Sequence, residues 1–327
     1  MKIYKWGILG TAKIGRNAMI PALQASKNAK VAAVASREIE KARRFAKELK
    51  IPTSYGDYQS LLDDPSIDIV YVPLPNHLHK PFTIKAAAAG KHILCEKPLG
   101  LNADECLEMT AAAKANGVQL MESFMYRHHP RIMAVREMVQ NGTIGAVKTI
   151  ESAFTFNLQR EGDIRFKPEM GGGAVMDVGC YCINFSRFIA GREPEAVQAR
   201  AVYGSTGVDI QMAAILDFGE GLLAHFDCGF NQQQRQRSII SGTDGFLVLR
   251  DVFLPGKDKS KIVLVKDDQT QTEHFPGVDQ YQRIAEDFMA GIESGEIPYP
   301  AEDAAANLRV IQALLESSKE NGKPISI

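Results

Sequence analysis

Lys5-Trp6-Gly7-Ile8-Leu9-Gly10-Thr11-Ala12-Lys13-Ile14-Gly15 takes the chain from a short apolar run through a glycine turn into a segment with helical period. Aligned on Gly10, the turn reads G-x-A-x-x-G, with Ala12 where a second glycine usually stands. Gly10 permits the tight turn, a small residue at position 12 lets backbone approach a pyrophosphate, and Gly15 allows close helix–strand packing. The helix that follows supplies N–H donors and the positive end of its dipole. Ala12 departs from the usual fingerprint, because its methyl group intrudes where clearance is wanted. The motif gains force from its place after a strand in a strand–helix–strand pattern. Gly10, Thr11, Ala12, Lys13 and Ile14 are therefore the expected phosphate-binding residues.

Outward from this turn, strands are expected over 5–9, 30–35, 67–73, 92–95 and 119–122. Helices are expected between them over 14–25, 38–50, 58–63, 81–89 and 103–116. That alternation marks βα units around a parallel sheet. Pro21 should break or kink the first helix. Asn102 is placed to cap the last, and Gly90 and Gly117 to end theirs. The texture changes near 123–126: a helix over 130–140, a long strand over 147–157, then Gly171-Gly172-Gly173 and an apolar helix over 174–190. Strand-like stretches with Gly, Asp and Asn at the turns fill 196–275, and helices over 279–294 and 301–320 close the chain. The expected fold is α/β: an N-terminal Rossmann doubly wound parallel sheet, plus a C-terminal α+β domain with a large, mostly antiparallel open sheet. The expected division is 1–124 for dinucleotide binding and 125–327 for substrate binding and oligomerisation.

Composition narrows the function. A net charge of -1 over 327 residues gives no electrostatic reason to expect nucleic acid or an anionic membrane as partner. No run of apolar residues is long enough to span a bilayer, so a small-molecule ligand is expected. The five cysteines form no framework or zinc spacing, which points to reduced thiols, a cytoplasmic location and no metal.

Cofactor preference is read at Ala35-Ser36-Arg37. NAD enzymes usually place an acidic residue here, about 20 residues past the motif, to bind the ribose diol. Ser36 and Arg37 instead suit a 2′-phosphate, and Lys41 adds charge one helical turn on. NADP is expected, with NAD as the alternative should Glu38 swing back to a diol.

Ile93-Leu94-Cys95-Glu96-Lys97-Pro98 closes a buried strand, and ligands of open α/β sheets bind outside such carboxyl ends. Asp177 and Tyr181, four apart after the triple glycine, share a helix face. Buried on an apolar helix, both need polar partners. With Pro75-Asn76-His77-Leu78-His79 and Met125-Tyr126-Arg127, these motifs resemble the Gfo/Idh/MocA oxidoreductase family over essentially the whole chain. Tyr181 stands where many members carry His. That resembles the branch of dimeric dihydrodiol dehydrogenase and NADP-dependent D-xylose dehydrogenase.

The resemblance implies hydride transfer between nicotinamide and a secondary or anomeric hydroxyl of a sugar, polyol or cyclic diol. It implies that Lys97 is catalytic and precedes a cis proline, with Tyr181 as its acid/base partner and Asp177 holding substrate. A phenol titrating near 10 is a poor base at neutral pH, but neighbouring positive charge lowers it. Lys97 as the base, with Tyr181 as a hydrogen-bond donor, is the competing assignment. Pro73, Leu74, Asn76, His77, Glu96, Arg165 and Tyr281 are further expected cofactor contacts, and Phe156 and Asn157 expected pocket residues. Within the family, a non-catalytic dinucleotide-sensing regulator and an NAD-dependent glycosidase are the alternatives. The open sheet is expected to pair copies into a homodimer or homotetramer.

Overall fold

The computed structural model describes residues 2–160 and 162–327. By packing, the chain separates into two units, Met1–Met125 with Asp279–Ala305, and Tyr126–Val278 with Ala306–Ile327. Residues 279–305, far along the chain, therefore pack with the N-terminal unit.

The first unit holds β1 (Tyr4–Leu9), α1 (Ile20–Ala25), β2 (Ala29–Ala35), α2 (Ile39–Leu49), β3 (Thr53–Tyr55), α3 (Tyr58–Leu62), β4 (Ile69–Val72), α4 (His79–Ala88), β5 (His92–Cys95), α5 (Ala103–Ala115) and β6 (Leu120–Glu122). The strands form one sheet in the order β3-β2-β1-β4-β5-β6, every pair parallel. This is the doubly wound sheet expected. Ile69, Val70, Tyr71 and Val72 are all buried, as a strand covered on both faces requires. The three-residue edge strand β3 was not expected; it is too short to show a period. Asn102 caps α5 by accepting from the Glu105 N–H at 2.9 Å. Ahead of Pro21 the first helix does not break. It opens with a π turn over Gly15–Met19 and changes register just before the proline, which sits in the first turn of α1.

The second unit contains α6 (Pro130–Gln140), β7 (Val147–Asn157), α7 (Cys180–Ala190), β8 (Ala196–Tyr203), β9 (Asp209–Asp217), β10 (Leu223–Gly229), β11 (Asn231–Gly242), β12 (Phe246–Arg250), β13 (Ser260–Lys266) and β14 (Gln269–Phe275). α8 (Gln280–Ser294) returns to the first unit, α9 (Glu302–Lys319) begins there and runs into the second, and β15 (Ile325–Ser326) ends the chain. Nine strands form the order β14-β13-β12-β11-β7-β10-β9-β8-β15, antiparallel except for the β7–β10 pair. Alternation divides the faces. Ala199, Ala214, Phe226, Ser152, Ser238 and Leu249 form a buried row, while Gln198, Ile215, His225, Glu151 and Ile239 lie on the other, more open face. No helix among the described residues is long and apolar enough to cross a membrane.

Candidate active site

The carboxyl ends of β1, β2, β4 and β5 carry the residues expected at a dinucleotide. Gly10 follows β1 at φ 97°, where a side chain is strained, and its N–H donates to Ala35 O at 2.8 Å. A Cβ added there would stand 3.0 Å from Leu74 Cδ2 and 3.9 Å from the Tyr58 hydroxyl. Thr11, Ala12 and Ile14 are half-buried and Lys13 is exposed. At Gly15 an added Cβ would meet Tyr71, Ile20 and Pro73 at 3.8–3.9 Å, ordinary contact. Close helix–strand packing is therefore not what requires that glycine.

Ser36 is buried beside the exposed Arg37, and Lys41 is exposed in the first turn of α2. The Arg37 guanidinium lies close enough to the Tyr58 phenol to pull its pKa back, against the larger rise caused by burial. Tyr58 thus reaches both the Gly10 turn and the cation expected at a 2′-phosphate. Sequence reading missed it, because only the strand order brings α3 there. A glycine turn at positive φ, a helix N-terminus and an arginine nearby fit a dinucleotide phosphate and its 2′-phosphate.

At the end of β5, the Lys97–Pro98 peptide is cis. Glu96, grouped with the cofactor residues by sequence, accepts from the Tyr71 hydroxyl at 2.6 Å, and burial raises its pKa. Tyr281 opens α8, its pKa raised by burial and next by the Glu96 charge. Asn76 and His77 occupy a half-buried 3-10 turn after Pro75. The wholly buried His79 places Nδ1 2.9 Å from Pro98 O and Nε2 2.7 Å from Leu74 O, joining the turns after β4 and β5. Burial lowers its pKa to about 4.

In the second unit, Arg165, Asp177 and Phe156 come together. Arg165 Nε donates to Asp177 Oδ2 at 2.6 Å, and its guanidinium lies 5.9 Å from the Phe156 ring. The Asp177 charge is the chief cause of a raised Arg165 pKa. The Gly172 and Gly173 N–H groups donate to Lys167 O and Arg165 O, folding the triple glycine onto the Arg165 loop. A π turn over Val175–Gly179 carries Asp177 and runs directly into α7 with Tyr181. Such turns recur at functional sites. Tyr181 is 5% exposed. Its ring is bordered by Phe154 and Phe253 at 5.4 Å and by Tyr126 at 6.0 Å. Asn157, at the end of β7, is exposed opposite Asn231. Phe253 and Asp209, both in contact with this helix, carried no sequence signal. No group of three or more His, Cys, Asp or Glu among the described residues is arranged to hold a metal ion.

Comparison with known proteins agrees with this picture. Residues 4–124 match the model of the oxidoreductase family with NAD-binding Rossmann fold, and residues 132–248 match a GFO/IDH/MocA C-terminal domain. The chain is 38% identical to D-xylose 1-dehydrogenase (NADP(+)) 2 of Haloferax volcanii, over 98% of this chain and 99% of that protein. It is 34% identical to mouse (Mus musculus) trans-1,2-dihydrobenzene-1,2-diol dehydrogenase, covering 77% and 76% of the two chains. A 3-ketoreductase from Actinomadura kijaniata, crystallised with NADP and TDP-benzene, superposes with a TM-score of 0.91 at 30% identity, covering 97% and 98%. With its Rossmann sheet, glycine turn and Glu96-Lys97-Pro98 strand end, the chain belongs to the GFO/IDH/MocA family of NAD(P)-dependent oxidoreductases.

Proposed function

We propose that this protein transfers hydride between NADP and a secondary or anomeric carbon of a sugar or cyclic diol, with Lys97, Tyr181 and Asp177 as its catalytic residues. The observation that carries the reading is Tyr181, buried among aromatic rings one turn beyond an Asp177 that is already ion-paired. Bound NADP supplies the hydride acceptor, or in reduced form the donor. The chain's residues handle the proton. Tyr181 takes the hydroxyl proton as the C–H electron pair leaves carbon, and returns it in the reverse direction. Lys97 orients the hydroxyl and, as a cation, favours the phenolate. Arg165 holds Asp177 as an acceptor for a substrate hydroxyl. Gly10, Thr11, Ala12, Lys13 and Ile14 hold the pyrophosphate, while Ser36, Arg37 and Lys41 hold the 2′-phosphate. Pro73, Leu74, Asn76, His77, Glu96, Tyr281 and Arg165 line the rest of the cofactor, and Phe156 and Asn157 border the substrate.

The relatives' substrates make D-xylose and trans-dihydrobenzenediol the first compounds to assay. Comparison of pH–rate profiles for Tyr181→Phe and Lys97→Met separates the two proton assignments. Loss of turnover in Tyr181→Phe, by about 10²-fold or more, supports Tyr181; near-wild-type turnover there removes it and leaves Lys97 as the acceptor.

The reading extends to a homodimer or homotetramer formed through the open face of the nine-stranded sheet. Ile215, Leu223 and Val202 are exposed on that face beside the Arg235–Asp227 and Arg237–Glu151 ion pairs. Ile215→Arg is then expected to shift the sedimentation coefficient toward the monomer. Five free, buried cysteines favour a reducing, cytoplasmic setting.

A further inference from the structure

Asp209 opens β9, is 2% exposed, and turns its carboxylate onto the start of the segment that carries Asp177 and Tyr181. Its Oδ2 accepts the Val175 N–H at 2.7 Å. This is a first-turn donor without an acceptor in its own helix, so the cap comes from a strand 34 residues away. Gly173 makes the approach possible. It sits at φ 125°, and an added Cβ there would overlap Asp209 Oδ1. The triple glycine thus serves the contact between a buried carboxylate and this helix.

We propose that Asp209 is a positioning residue for the reaction: its ionised carboxylate holds the segment beginning at Ala174 so that Asp177 and Tyr181 are correctly presented, and turnover fails when it is neutralised. The inference rests on the roles assigned to Asp177 and Tyr181 above. Burial raises the Asp209 pKa to about 6, so its charge is lost just below neutrality. The titratable groups around it are the Cys228 thiol on β10, kept neutral by burial, the Tyr203 phenol opposite it on β8, and the Asp177–Arg165 ion pair on the helix side.

The sign distinguishes positioning from simple scaffolding. A folded-state pKa above the unfolded value means that protonation favours the fold, an advantage complete below about 3.9 and lost as pH rises through about 6. Ionised Asp209 therefore weakens the fold at pH 7. Asp209→Asn is expected to melt no lower than wild type at pH 7, yet to lose about 10²-fold in kcat for D-xylose oxidation with NADP. The KM for NADP should stay within about twofold, and the acid limb near pH 6 should disappear. Gly173→Ala, which keeps the charge but obstructs the contact, should lower kcat as well. Amide exchange at Val175 gives a readout independent of turnover: protection in wild type falls between pH 7 and 5, and is already low in Asp209→Asn.

An Asp209→Asn enzyme with wild-type kcat, acid limb and Val175 protection overturns the proposal. So does a variant whose loss follows only a lower melting temperature. If Tyr181→Phe also turns over normally, the assignment of the helix falls with it; if Tyr181→Phe is dead and Asp209→Asn is indifferent, only the present inference fails.

Discussion

Replacement of Arg37 by Leu should convert this oxidoreductase from NADP preference toward NAD. Arg37 is the cation assigned above to the 2′-phosphate, and its charge acts on the neighbouring buried Tyr58 phenol. A charge-assisted hydrogen bond contributes about 1.5–3 kcal/mol. Because Arg37 is exposed, solvent screening places the effect in the lower half of that range. About 2 kcal/mol corresponds to a roughly 30-fold loss in kcat/KM for NADP. NAD lacks the 2′-phosphate, so its kcat/KM should change by less than about twofold, as that bond is never made. The assay follows absorbance at the reduced-nicotinamide band with each cofactor in turn. Added salt should raise the wild-type KM for NADP and have a weaker effect on the variant. Equal losses for NADP and NAD would refute the reasoning, because Arg37 would then be holding the fold and not a phosphate. A wild-type preference for NAD would refute it at the outset.

Tyr58→Phe should move the same ratio in the same direction by a smaller factor, since it removes only a hydroxyl beside Arg37 and leaves the cation in place; the two-cofactor assay reads it. Gly10→Ala should weaken both cofactors alike and lower the melting temperature, because a left-handed position costs a side chain about 1–2 kcal/mol and Leu74 stands 3.0 Å from the added carbon. Stability should depend on pH through two opposed groups. His79, lowered to about 4, contributes stability that is full above its unfolded pKa of about 6.5 and is lost as pH falls toward 4, about 2 kcal/mol by pH 5. Asp209, raised to about 6, offsets part of this as it protonates. Denaturant titrations at pH 7 and 5 should therefore show a steeper acid loss in Asp209→Asn than in wild type; equal slopes would remove Asp209 from the balance.

The parallel sheet was legible because burial on both faces writes continuous apolar runs, as in Ile69-Val70-Tyr71-Val72, and because Asn102, Gly90 and Gly117 mark helix ends locally. Lys97 was legible for a related reason, since a charge at the end of such a run stands out. Tyr58 and Asp209 were not. Tyr58 meets Arg37 only through the strand order β3-β2-β1, and Asp209 meets Val175 only through the fold of the second sheet. Neither has a local spacing that a sequence can display. The π turns at Gly15–Met19 and Val175–Gly179 were hidden similarly, because their composition is that of an ordinary helix. The pairing of Asp177 with Arg165 lay between: both residues were singled out, but the intervening glycine turn determined that they meet.

The most direct test of the central claim is initial-rate absorbance at the reduced-nicotinamide band for a panel of aldoses, polyols and cyclic diols with NADP and with NAD. Reduction of the cofactor by at least one member is expected, faster with NADP and abolished in Tyr181→Phe. Turnover with NAD alone, or undiminished turnover in Tyr181→Phe, would contradict it.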